Sequence, residues 1–106
     1  MAKYLIHASY TSDGLKGLQK DKASGRQQAV RQLLEGIGGR LESMYYALGE
    51  DDVVIIADLP DNVAVSAVSL SVSATGFVRT RTTALLSIEE ADRALTMSIN
   101  YRKPGG

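Results

Sequence analysis

The segment Val53-Val54-Ile55-Ile56-Ala57-Asp58-Leu59 constrains this chain more than any other. It is bounded by Gly49-Glu50-Asp51 before it and Pro60-Asp61-Asn62 after it. Its length and β-branched content mark a strand. At period two, Val53, Ile55, Ala57 and Leu59 fall on one face, and Val54 and Ile56 on the other. Both faces are apolar, so both need cover. The aliphatic run is far shorter than the ~20 residues of a membrane span. The chain must therefore cover this strand on one side with its own elements and find a second cover for the other.

The remaining elements follow from periodicity and punctuation. Lys3 to Tyr10 reads as a first strand, broken by Thr11-Ser12-Asp13-Gly14. Leu15 to Lys20 is expected to form only a short helical turn, weakened by Gly14 and Gly17. Ser24-Gly25-Arg26-Gln27 has capping-box spacing. Behind it Ala29, Val30, Leu33, Leu34 and Ile37 recur at helical spacing, which predicts a helix over 25–37 stopped by Gly38-Gly39. Arg40 to Leu48 and Asp52 to Leu59 read as a hairpin. Val63 to Ser73 is ambiguous: Val65, Val68 and Val72 suit one helix face, yet Val68 to Ser73 also alternates at period two. A helix is expected, because strands flank the segment and a crossover must fit between them. Thr75-Gly76 ends it, and Phe77 to Leu85 is the fourth strand. Ser87-Ile88-Glu89-Glu90 is a second capping box, opening a helix through about Leu95.

This order is the βαββαβ of a ferredoxin-like α+β fold with an added C-terminal helix. Its strand order is 4-1-3-2. A single domain is expected over 1–99, followed by a tail over 100–106 ending in Pro104-Gly105-Gly106. Helices cover only one face of such a sheet, so a second copy of the chain is expected on the other, giving a dimeric α+β barrel. Regular alternation then places His7, Ser9, Glu42, Tyr46, Arg79 and Arg81 together on the face away from the helices.

Composition narrows the function classes. The 106 residues make one domain, and 12 basic against 12 acidic side chains give zero formal net charge. That argues against nucleic acid as a partner. The absence of cysteine removes disulfides and thiolate metal sites, and a single histidine supports no histidine-rich one. Asp51, Asp52, Asp58 and Asp61 match no calcium-loop spacing, so no metal is expected. The glycines fall in no phosphate-binding motif, and no cofactor is expected. The N-terminus has no signal-peptide pattern, so a cytoplasmic protein without membrane partners is expected.

The runs Lys3-Tyr4-Leu5-Ile6-His7-Ala8-Ser9-Tyr10-Thr11 and Gly14-Leu15-Lys16-Gly17-Leu18 resemble the opening of the GYD domain family. Gly38 to Glu42, Gly49 to Pro60, Arg79 to Leu86, and Tyr101 to Gly105 continue the resemblance over nearly the whole chain. It implies a small bacterial or archaeal protein related to dimeric α+β barrels. The family has no settled activity, so the resemblance implies a fold and an assembly rather than a reaction. The family's Gly-Tyr-Asp turn corresponds here to the stretch around Gly49-Glu50-Asp51-Asp52. Asp51 stands in place of the tyrosine, which removes any role for its ring or hydroxyl, while Gly49 and Asp52 keep a turn role.

Five residues are the candidate site. His7 is the one side chain whose ordinary titration lies near neutrality, and is the candidate catalytic base. The alternative is a hydrogen-bonded interface histidine. Arg79 and Arg81 can hold a carboxylate or phosphate, or can bridge to Glu42 or Asp58 of another subunit. Tyr10 and Tyr46, with Tyr45 beside them, can line a ligand pocket or simply pack. The expected function is homo-oligomeric binding of a small organic or anionic molecule in the barrel cavity. One version adds cofactor-free, monooxygenase-like or isomerase-like chemistry. The alternative is a non-enzymatic interaction or scaffold module whose barrel is filled by Leu5, Met44, Val54 and Ile56. The residues leave open whether the protein is an enzyme.

Overall fold

The computed structural model describes residues 1–106. Its elements are β1 (Ala2–Tyr10), α1 (Ser12–Gly36), β2 (Arg40–Tyr46), β3 (Val53–Leu59), α2 (Asn62–Ala74), β4 (Val78–Leu85) and α3 (Ile88–Thr96). The strands form one antiparallel sheet in the order β2-β3-β1-β4, the ferredoxin-like order read in reverse. The doubly apolar β3 sits at the centre, paired with β1 and β2. No helix is long and apolar enough to cross a membrane.

One sheet face carries the core. Tyr4, Ile6 and Ala8 of β1 alternate into it, and Val53, Ile55, Ala57 and Leu59 of β3 join them. Leu34 of α1, Leu41 of β2 and Val65 of α2 complete the buried cluster. Tyr4 is only 1% exposed and still satisfies its hydroxyl, which donates to Asn62 Oδ1 at 2.6 Å, at the start of α2. This is the inner face. The outer face holds the half-buried Leu5, His7, Val54 and Ile56.

Three local readings are corrected. The segment after β1 is a true helix rather than a turn, because Thr11 caps it by accepting from Gly14 N, and Gly14 is needed where it stands. A Cβ on Gly14 would lie 2.0 Å from the Phe77 carbonyl oxygen, so this residue closes α1 onto the start of β4. Second, the capping box at Ser24 does not open the next segment. The break falls at Lys22, a non-glycine residue at φ 65°, ψ 168°, and Ser24 lies inside the helix that follows. Third, β2 ends at Tyr46 rather than Leu48. There Ala47 N donates to Asp52 O, and the chain turns early.

The ambiguous segment is a helix. Asp61 caps α2 by accepting from Ala64 N, and Gly76 at φ 78° ends the turn behind it. The alternation of Val68 to Ser73 loses to this cap and to the crossover. The capping box of α3 forms in full: Ser87 Oγ accepts from Glu90 N, and the Glu90 carboxylate accepts from Ser87 N. Yet α3 buries no residue. Leu86, Ile88, Leu95, Met97, Ile99 and Tyr101 are each at least 66% exposed, and the molecule is drawn out to 57 × 32 × 24 Å.

Candidate functional site

The outer face is built by register. On β1, His7 lies between Val54 of β3 and Arg81 of β4, and Ser9 lies opposite Arg79. The two arginines and the histidine are therefore neighbours, as alternation predicts. The turn before β3 adds a fourth partner. Asp51 accepts from Ser9 Oγ at 2.9 Å and from Arg81 Nη2 at 2.6 Å. The Arg81 guanidinium, then the Ser9 hydroxyl, hold the Asp51 carboxyl below its ordinary value. His7 Nδ1 is buried without a hydrogen-bond partner in the chain. Arg79 and Arg81 lie exposed on the edge strand.

The other end of the same face is a separate ionic group. Asp58, 8% exposed, accepts from Arg40 Nη2 at 2.9 Å and lies 3.0 Å from Lys3 Nζ. Lys3 also donates to Glu42 at 2.6 Å. Arg40 and Lys3 lower the Asp58 pKa, and hydrogen bonds to Glu42 and Asp58 raise that of Lys3. Glu42 and Asp58 thus have partners within the chain, and Arg81 pairs with Asp51 instead of them. Between the two polar ends lies a band of Leu5, Val54 and Ile56.

Tyr46 does not join this face. Leu41 pairs with Ala57, but Ser43, not Glu42, pairs with Ile56, so Glu42 is the extra residue of a β-bulge. Beyond the bulge the parity is reversed. Met44 and Tyr46 stand opposite the inward Ile55 and Val53, and Tyr45 stands opposite the outward Val54. Met44 accordingly packs against the core and cannot fill a barrel on the outer side. Tyr10 is also on the inner face, and its hydroxyl lies 3.1 Å from that of Tyr46. Burial, then this hydrogen bond, pushes the Tyr46 phenol well above its ordinary value. The five candidates therefore split: His7, Arg79 and Arg81 on the outer face, Tyr10 and Tyr46 on the inner.

The four aspartates considered for a metal each have another partner. Asp51 binds Ser9 and Arg81, Asp58 binds Arg40 and Lys3, and Asp61 caps α2. Asp52 accepts from Tyr10 N at 2.9 Å, while its own N donates to Ala8 O, so it fastens the turn to the end of β1. That is the turn role expected of it.

A family model for the GYD domain matches residues 4–95. The chain belongs to the GYD domain family. No curated protein matches it. Within this GYD domain the outer-face cluster includes Asp51, the residue that the resemblance sets against the tyrosine of the Gly-Tyr-Asp turn. Sequence reasoning considered Asp51 as a turn residue and as one of four carboxylates for a metal, not as the partner of Arg81. Its acidic side chain in the turn before β3 was the available signal, and what was missing was knowledge that the turn folds back over Ser9.

Proposed function

We propose that this GYD domain is a homo-oligomeric small-molecule-binding protein that takes a small organic anion on its outer sheet face, beneath a second copy. The observation that carries this reading is the placement of His7, with Nδ1 buried and unpartnered, beside Arg81 and one residue pair from Arg79. A carboxylate held by the two guanidinium groups would lie next to the imidazole. His7 is then the group to take a proton from the bound substrate, and the reaction class is cofactor-free proton transfer of the isomerase kind. The band of Leu5, Val54 and Ile56 supplies the apolar wall. The exposed apolar side chains of α3 and the segment after it supply further surface for self-association.

Native mass spectrometry tests the assembly and the ligand together. A dimer or larger ring carrying extra mass, lost in Arg79→Ala/Arg81→Ala, supports the proposal. An oligomer with no adduct, indifferent to benzoate in titration, assigns the filled-barrel scaffold instead. A monomer at micromolar concentration overturns the outer-face site.

A further inference from the structure

The inner side of the sheet holds a second opening, independent of the outer face. Between the sheet and the two helices lies a cavity of about 90 Å³. Thirteen of its fifteen lining residues are hydrophobic, among them Ile6, Ala29, Val30, Leu34, Ile55 and Val68. The exceptions are Thr80, whose hydroxyl is engaged with Ser69 Oγ, and Arg26. Protein interiors are packed with few voids larger than one water. A space of this size could admit several waters, yet the walls offer them almost no partners, so it is unfavourable for water. It suits an apolar group.

The cavity does not end inside the core. A groove of about 380 Å³ between the first half of α1 and the start of β4 shares Tyr10, Arg26, Val72 and Val78 with it. Arg26 is thus the one cation at the junction of an apolar slot and an open groove. Its nearest acidic partner is Asp21, at 3.8 Å from Nη1, beyond hydrogen-bond distance. Asp13 also lines the groove but pairs with Lys16, at 4.0 Å. The Arg26 side chain is 32% exposed, and its one ion-pair partner, Asp21, makes no hydrogen bond to it. A cation so placed favours an incoming carboxylate, which it can bind through two parallel N–H bonds.

We propose that this cavity and groove form a binding site for a short-chain aliphatic carboxylate, whose tail of roughly three or four carbons matches the 90 Å³ slot among Ile6, Ile55 and Val30 and whose head lies on Arg26. Asp21 is its competitor: the same side chain that loosely balances Arg26 in the free protein repels the ligand's head. This gives opposite signs for the two neighbouring substitutions.

Isothermal titration calorimetry with pentanoate, and methyl-resolved NMR of the unaltered chain, test the site. One pentanoate per chain is expected, with shifts at the methyl groups of Ile6, Val30 and Ile55 and none at Leu5, Val54 or Ile56 of the outer face. Arg26→Gln should weaken binding about tenfold, and Asp21→Asn should strengthen it several-fold. Ala29→Phe, which fills the slot, should abolish it; the melting curve of that variant establishes that it is folded. Shifts confined to the outer face, pentanol binding as tightly as pentanoate, or affinity unchanged in Arg26→Gln would each overturn the proposal. A failure here leaves the outer-face reading standing, since that reading is tested by benzoate and by Arg79 and Arg81.

Discussion

Asp51 and Arg81 are joined at 2.6 Å across thirty residues of chain, tying the turn before β3 to the edge strand β4. The pair has two consequences of opposite sense. It holds the turn in place, and it occupies one of the two cations offered to a ligand. Asp51→Ala releases Arg81, so benzoate binding should tighten on the order of tenfold, the worth of one charge-assisted hydrogen bond. Calorimetric titration of both proteins checks this. Weaker binding in the variant would mean that the aspartate positions Arg81 rather than competes for it.

Two glycines on the same helix make an internal comparison. A Cβ on Gly14 meets the Phe77 carbonyl at 2.0 Å, whereas one on Gly17 meets nothing within 4 Å. Gly14→Ala should cost about 2 kcal/mol or more, because backbone must move to admit it. Gly17→Ala should gain about 0.5–1 kcal/mol from helix propensity and a stiffer unfolded chain. Urea unfolding of the two variants reads both signs.

The contrast shows where the sequence was and was not legible. Strand positions, the helical crossover and the inward set of β1 and β3 follow from alternation and caps, because those are local. The bulge at Glu42 is invisible in Leu41-Glu42-Ser43-Met44, which alternates as a regular strand would. Its extra residue is accommodated by a tertiary contact, the ion pair with Lys3, and that reverses the face of Tyr46. The break at Lys22 is equally silent, since a lysine carries no preference for φ 65°. His7 and the two arginines were found because register within β1 and β4 is unbroken. Asp51 and Arg26 were missed because each reaches its place through a turn or a helix kink.

Stability should depend on pH at both ends of the range through the Lys3–Asp58–Arg40 group. The Asp58 pKa is lowered from the ordinary 3.8, so its contribution is present above that value and fades as pH falls through the folded pKa. The Lys3 pKa is raised from 10.5, so its contribution is present below that value and fades as pH rises through the folded one. Asp58→Asn removes the first and only weakens the second, because Lys3 keeps its hydrogen bond to Glu42. The urea midpoints of parent and variant should differ most above about pH 5 and converge as pH falls, and should narrow only in part above about pH 10, where Arg40 still holds Asp58. A difference that persists undiminished at pH 2 would assign the loss to packing rather than charge.

Single-residue deletions in β2 test the bulge itself. Deleting Glu42 removes the extra residue, leaves Leu41 and Met44 inward with Ser43 outward, and lets the pairing with β3 become regular. Its surface position and the loss of one exposed ion pair should leave stability within about 1 kcal/mol of the parent. Deleting Tyr45 does the reverse. It turns Tyr46 to the outer face and breaks the 3.1 Å contact between the Tyr10 and Tyr46 hydroxyls. The Tyr10 and Tyr46 ring signals in NMR should stay in place in the first deletion and move together in the second. Equal damage from both deletions would mean that β2 pairs without a bulge, and would return Tyr46 to the face where alternation alone puts it.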